Sequence, residues 1–161
     1  MKRLLAIFIA LLLPALPALA EAAPMGPFDY TDDILEDGTL VYYFQDLALR
    51  LPANWAGKVL VLQDGTGAGF YQKASYDLYQ AEGVEGGGFL FSLEASVNAD
   101  FADTLPTFEY LGFSERSAMN YFLATPSDYP AWTEDEAVRA EWDAMYAQVA
   151  EFIVPNAQIY E

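Results

Sequence analysis

The chain predicts an α+β fold: an antiparallel β-sheet of five or more strands joined as hairpins, with a C-terminal amphipathic helix packed on one face. Three observations carry this expectation. Between residues 39 and 125, short runs rich in Val, Leu, Phe and Tyr alternate with turns rich in Gly, Asp and Ser, as hairpins do. Only one stretch, late in the chain, holds a long apolar period of three and four residues. The β-type runs follow one another directly instead of alternating with helices, which favours antiparallel pairing over βαβ units.

The elements follow in order. Met1-Lys2-Arg3 opens the chain with positive charge, Leu4 to Leu13 is unbroken apolar sequence, and Pro14 and Pro17 precede Ala18-Leu19-Ala20. That is the layout of a secretory signal peptide over residues 1–20, with cleavage after Ala20. The apolar run is shorter than the roughly 20 residues a membrane-spanning helix needs. Residues 21–38 form an acidic arm containing Pro and Gly, with no apolar period.

A single α+β domain is expected over residues 39–161. Leu40-Val41-Tyr42-Tyr43-Phe44 is a β-type run. Leu47, Leu49 and Leu51 then alternate with Ala48 and Arg50, a strand with one face on a core that Pro52 ends. Lys58 to Gln63 and Phe70 to Ala74 flank a Gly-dense tip and read as a hairpin. Ser75 to Gln80 predicts one short helical turn capped by Ser75. Phe89 to Val97 predicts a strand, and Thr107 to Ser114 with Ala118 to Thr125 a hairpin around Glu115-Arg116-Ser117. Thr133 and Glu136 are spaced as a capping box. Val138, Trp142, Met145, Val149 and Phe152 form the apolar stripe of the helix that follows, and Pro155 stops it. Residues 157–160 are expected to add a short final strand.

Composition excludes several function classes. The chain has no Cys and no His, so Ser-His-Asp and Cys-His nucleophile systems, the usual zinc sites and the common haem or copper ligand sets cannot be built from it. No cofactor is expected. The formal charge is −17, and removing Lys2 and Arg3 with the signal leaves five bases against 24 acids, a formal −19. Such a field repels phosphate backbones and anionic lipid headgroups, so neither nucleic acid binding nor membrane insertion after signal cleavage is expected. Cationic partners remain open. The 11 Phe, 11 Tyr and 3 Trp supply core mass without disulfides.

An ordered series of short motifs runs from about Thr39 to the C-terminus: Leu51-Pro52-Ala53-Asn54-Trp55, Phe70-Tyr71-Gln72-Lys73-Ala74-Ser75, Gly87-Gly88-Phe89-Leu90-Phe91-Ser92, and Pro126-Ser127-Asp128 before an acidic helix. The series resembles a group of small exported or surface-anchored domains of Gram-positive, clostridia-like bacteria, themselves uncharacterised. In layout it is also similar to PsbP-like domains, antiparallel sheets flanked by helices that carry a strand ending in Pro-x-x-Trp. The resemblance implies an exported domain and supplies no activity, cofactor or site residue. Members of the group are often lipid-anchored through a cysteine, which this chain lacks, so free export or retention by a partner is implied.

Gly65-Thr66-Gly67-Ala68-Gly69 follows a strand but leads into another strand rather than a helix, so it reads as a hairpin tip and not a dinucleotide loop. Asp29, Asp32, Asp33, Glu36 and Asp37 are calcium candidates by oxygen count, but their spacing does not match a calcium-binding loop. Glu94, Glu109 and Glu115 lie on or beside β elements, where a carboxylate pair would serve glycoside hydrolysis. Ser75 and Ser92 have no base in the chain to activate them, and Lys73 reads as an ion-pairing base. Trp55, Tyr71, Tyr76, Tyr79, Tyr129 and Trp132 fall in or near loops, where exposed rings stack on sugars or on a partner's apolar surface. For Trp55 and Trp132 the competing reading is a plug at the end of the core.

The sequence therefore points to an exported, acidic, non-catalytic binding or interaction domain. Its expected partner is a protein or glycan at the cell surface, in the extracellular space or in the periplasm of a Gram-negative host. The alternative is an extracellular carboxylate-based or calcium-assisted hydrolase acting on glycan or peptide.

Overall fold

The computed structural model of the chain describes residues 34–64, 67–105, 107–130 and 133–160. The signal and arm expectations for residues 1–33, including Asp29, Asp32 and Asp33, lie outside the described residues, as does Trp132. Eight strands and two principal helices occur in the order β1 (Leu40–Phe44), β2 (Leu47–Leu51), β3 (Val59–Asp64), β4 (Gly67–Gln72), α1 (Lys73–Ala81), β5 (Phe89–Ser96), β6 (Phe108–Ser114), β7 (Met119–Ala124), α2 (Glu136–Gln148) and β8 (Gln158–Ile159). All pairings are antiparallel.

The fold class is the one expected, but the strands form two sheets. One has the order β1-β2-β8, the other β3-β4-β5-β7-β6. The β1–β2 hairpin pairs with no strand of the larger sheet among the described residues, and β8 returns from the end of the chain to add a third strand beside β2, through Leu47 with Ile159 and Ala48 with Gln158. The run from Leu40 to Leu51 is itself a hairpin. Phe44 pairs with Leu47 across a two-residue loop, and Gln45 adopts φ +54° to make the turn.

The inner face of the five-stranded sheet is the alternating set Val59, Val61, Ala68, Phe70, Phe91, Leu93, Tyr121 and Leu123, all buried. The β1–β2 hairpin and α2 close over it. Tyr42 meets Phe70 edge-on at 5.1 Å, Phe44 meets Tyr121 at 6.2 Å, and Phe70 stacks on Phe91 at 4.3 Å. From the C-terminal segment, Trp142, Met145, Val149 and Ile153 join the same core. The helix does not stop at Gln148. It continues as a π-helical turn over Val149–Ile153 and a 3-10 turn over Val154–Asn156, where Pro155 lies.

Two helix starts differ from expectation. Asp135, not Thr133, caps α2, accepting from the amides of Ala137 at 2.9 Å and Val138 at 3.2 Å. Thr133 instead accepts from the amide of Asp135. An aspartate nearer the first turn outcompetes the threonine because its charge also meets the positive helix end. Helix α1 is longer than one turn, begins at Lys73, and buries Ser75 inside its first turn, where the hydroxyl donates to the Gln72 side chain rather than capping.

Two polar knots hold the layers in register. In the first, buried Gln72 donates to the Val138 carbonyl at 3.1 Å and to Glu141 at 2.9 Å, and Lys58 pairs with Glu141 at 2.7 Å. In the second, Asp46 in the β1–β2 turn is only 3 % exposed. It accepts from Ser114 at 2.7 Å, ion-pairs with Arg116, and its backbone carbonyl accepts from the Tyr160 amide at 2.9 Å. Hydrogen bonding from Ser117 and Ser114, and then the charge of Arg116, hold the Asp46 carboxyl below the usual range.

The sign of the linkage follows from that direction. The folded pKa is depressed, so the unfolded chain takes up the proton first, and the Asp46 contribution is complete above about pH 4 and drains away as pH falls through the folded value. Asp37 and Glu141 are depressed with the same sign. Asp46→Asn is therefore expected to melt lower than wild type at pH 7 and to lose less on going from pH 5 to pH 2. Melting curves across that range test it. Parallel losses in the two proteins would show that Asp46 gains nothing from its knot.

Candidate functional site

The outer face of the five-stranded sheet carries the candidate site. On β5 the outward positions are Ser92, Glu94 and Ser96, and on β4 they are Gly67, Gly69 and Tyr71, the last displaced by a bulge after Phe70. Two glycines in alternate positions of one strand leave this part of the sheet bare, and neighbouring side chains use the space. A Cβ on Gly69 would stand 2.9 Å from the Tyr71 ring, and one on Gly67 would stand 2.9 Å from a Glu94 carboxylate oxygen. The glycines are thus the reason the Tyr71 ring lies back along its own strand and Glu94 lies across to β4.

Tyr71 is fixed from two further sides. Its ring packs on Phe89 at 5.4 Å and edge-on to Tyr76 of α1 at 5.5 Å. It forms a ridge shared by two hollows. One, of about 380 Å³, lies over β3, β4 and β5 and includes Leu62, Gly67, Gly69, Ser92 and Glu94. The other, of about 500 Å³, lies toward α1 and the loop after it and is lined by Leu62, Tyr76, Gln80, Glu85 and Gly86. Leu62 and Tyr71 belong to both, so the hollows make one trough with an aromatic saddle. Gln63 also borders it, but its side-chain carbonyl accepts from the Tyr42 hydroxyl at 3.0 Å, and burial pushes that hydroxyl up to about 12. Each hollow carries one carboxylate, and neither is lined by Lys or Arg among the described residues.

Such a trough can bind without reacting. It supplies ring surface for an apolar or C–H face, and carboxylate, amide and hydroxyl groups for hydrogen bonds to a polar ligand. The carboxylates weighed for hydrolysis do not meet. Glu94 lies on the outer face opposite Phe122, Glu109 pairs with Leu123 and so faces the other way, and Glu115 sits at the β6–β7 turn. Among the described residues, no group of three or more Asp or Glu is placed to hold a metal ion. Glu36 is exposed, and Asp37 accepts from the Thr39 amide at 2.9 Å.

The aromatic candidates divide. Tyr71 and Tyr76 come together in the trough. Trp55 is corrected to a core residue: it is 0 % exposed, packs near Phe91, and donates from its ring nitrogen to Gln148 at 2.7 Å. The apolar volume beneath the β1–β2 hairpin takes its ring, as the core reading anticipated. Tyr79 lies against Gly87 and borders a different hollow with Leu78, Glu82, Thr133 and Glu134. Tyr129 packs on Trp142 and donates to Asp143 at 3.0 Å.

Sequence reasoning did not single out Gln80 or Glu85 as site residues, and it weighed Ser92 and Glu94 only for catalysis. The alternation of Ser92, Glu94 and Ser96 with Phe91, Leu93 and Ala95 was the readable signal that one face of β5 is open. A second exposed surface also went unflagged: Phe108, Tyr110 and Phe113 along edge strand β6, on the far side of the same face. Tyr110 is anchored there by Phe122 at 5.5 Å and by a 3.2 Å bond to Asn120.

No helix of the described residues is long and apolar enough to cross a membrane. No protein-family model, curated protein or solved structure matches the chain, so the functional reading rests on the geometry of the site.

Proposed function

We propose that the protein is an exported, non-catalytic binding domain that engages a polar, ring-bearing ligand at or outside the cell surface through the Tyr71 trough. The observation that carries this reading is Tyr71 itself. An aromatic ring on an exposed sheet face, fitted to a glycine on its own strand and shared by two hollows, is a contact surface positioned in advance of any ligand. Fixing the ring beforehand lowers the entropy lost on binding. The signal-like first twenty residues and the acidic composition support an extracytoplasmic setting.

The test is co-sedimentation of the domain with insoluble envelope material from the producing cell. Wild type is expected in the pellet, and Tyr71→Ala, which leaves the core intact, should fall by about tenfold in affinity, the order of one lost aromatic contact at a binding surface. The soluble fraction should contain no newly released saccharide or peptide. Retention of both proteins alike would remove the trough from the reading. Time-dependent release of fragments would replace binding with hydrolysis.

A further inference from the structure

Strand β6 ends one side of the five-stranded sheet, and its outer face carries three half-exposed rings, Phe108, Tyr110 and Phe113. The register decides which backbone groups this edge offers. The Thr125 amide donates to the Thr107 carbonyl, so residues 107 and 109 turn their backbone groups toward β7, and Phe108 and Tyr110 turn theirs to the open edge. No described strand pairs with β6 on that side. On the inner side a cavity of about 240 Å³ lies between β6 and the C-terminal helix, with Leu123, Val149 and Val154 among its apolar walls. Glu109 pairs with Leu123, so it faces inward and brings a carboxylate to that cavity. This carboxylate makes no hydrogen bond or ion pair among the described residues. Further along β6 the inner side is filled, since a Cβ on Gly112 would stand 2.9 Å from Ile159.

We infer that the first half of β6 takes an extended, basic segment of a partner protein, added to the sheet as one more strand. This surface is separate from the Tyr71 trough and does not depend on it. Strand addition draws affinity from backbone bonds and specificity from alternate side chains. Residues of the incoming strand that bond to the Phe108 and Tyr110 backbone place their side chains on the outer face, where apolar groups cover the rings. The residues between them point inward. There a Lys or Arg lays its methylene stem along the apolar cavity and sets its charge against Glu109. The formal charge of −17 favours such a segment. It also disfavours a second copy of this chain, because an inward-pointing charge on an edge strand repels a strand of the same sign.

The deciding experiment is calorimetric titration of the full mature chain with three synthetic octapeptides. One alternates valine with lysine, the second is the same peptide N-methylated at each valine, and the third alternates valine with glutamate. The valine–lysine peptide is expected to bind about tenfold tighter than either of the others. Glu109→Gln, an exposed and shape-conserving change, should weaken that binding about threefold, the order of one exposed ion pair. Raising salt from about 50 to 200 mM should weaken the wild type more than this variant. Ala150→Trp, at an exposed position lining the cavity, should lower the affinity by about tenfold by blocking the lysine stem. Equal binding of the N-methylated peptide would overturn strand addition, because that peptide keeps its side chains and loses the edge bonds. Equal or tighter binding of the glutamate peptide would overturn the basic partner in favour of an acidic segment, the chain's own residues 21–33 among them. Unchanged affinity in both variants would remove the cavity and Glu109 from the contact and overturn the placement. A dimer of the chain alone that Ala150→Trp abolishes in sedimentation velocity would assign the edge to a second copy and overturn the inference, as would no binding of any peptide.

Discussion

Trp142→Ala is expected to cost the domain about 3–5 kcal/mol, the usual range for removing a buried Trp or Phe side chain. The residue is 3 % exposed at the centre of α2. Its ring stacks on Tyr146 at 4.8 Å, meets Tyr129 edge-on at 4.9 Å, and donates to the Phe89 carbonyl at 3.2 Å. Truncation would therefore open a cavity between α2 and the start of β5 and leave that carbonyl without its side-chain partner. Against a total stability of about 5–15 kcal/mol, this takes a large share, and the melting temperature should fall by about 10 °C. Asp143→Ala, at the next position and exposed, loses one surface bond to Tyr129 and should cost no more than about 1 kcal/mol. Thermal melts of the pair check the claim. Equal melting temperatures would mean that α2 does not close the core.

Gly88→Ala should have the second largest effect, for a different reason. Gly88 has φ +77°, where an alanine pays roughly 1–2 kcal/mol from backbone sterics alone. The added Cβ would also stand 2.7 Å from the Gln72 carbonyl oxygen and 2.7 Å from the Ser75 Cβ. Neither can swing aside, because one is backbone and the other is locked inside the first turn of α1. Gly88 is moreover bonded through both backbone groups, accepting from Gln72 at 2.8 Å and donating to Pro130 at 3.0 Å. The junction of β4, α1 and β5 must move as a unit, and Tyr76, whose amide lies 3.1 Å from the same Cβ position, moves with it. A stability loss above about 2 kcal/mol is therefore expected, together with weakened ligand binding. Chemical denaturation measures the first and the sedimentation assay the second. Wild-type behaviour in both would contradict the close packing at that junction.

The elements legible in the sequence were those that local pattern determines. The β6–β7 hairpin shows because Phe108 to Ser114 and Met119 to Ala124 are β-rich runs around polar turn residues, and the α2 stripe shows because Trp142, Met145 and Val149 keep a helical period. What escaped depends on contacts distant in the chain. The turn at Gln45-Asp46 lacks the Asn-Gly or Asp-Gly signal, since Asp46 is held by Ser114 and Arg116 from nearly 70 residues away. The small sheet gains its third strand because Ile159 reaches back to Leu47, a pairing no local window contains.

The site shows the same division. Tyr71 and Tyr76 were visible as aromatics near loops, whereas the alternation on β5 held a signal of an open face that was read only as a strand. That Gly67 and Gly69 make room for Glu94 and the Tyr71 ring is a relation between strands, and only the register of β4 on β5 reveals it. Trp55 was ambiguous for the converse reason, because its burial depends on Gln148 and Phe91 arriving from other elements.

Mapping of backbone amide shifts by NMR, during titration of the domain with a soluble envelope glycan that it retains, measures most directly whether the trough is the binding surface. Binding there should move the resonances of Leu62, Gly69, Tyr71, Tyr76, Gln80, Ser92 and Glu94, and leave Phe108, Tyr110 and Phe113 in place. Shifts centred on the β6 row, with Tyr71 and its neighbours unmoved, would contradict it and assign ligand contact to the aromatic edge of the sheet.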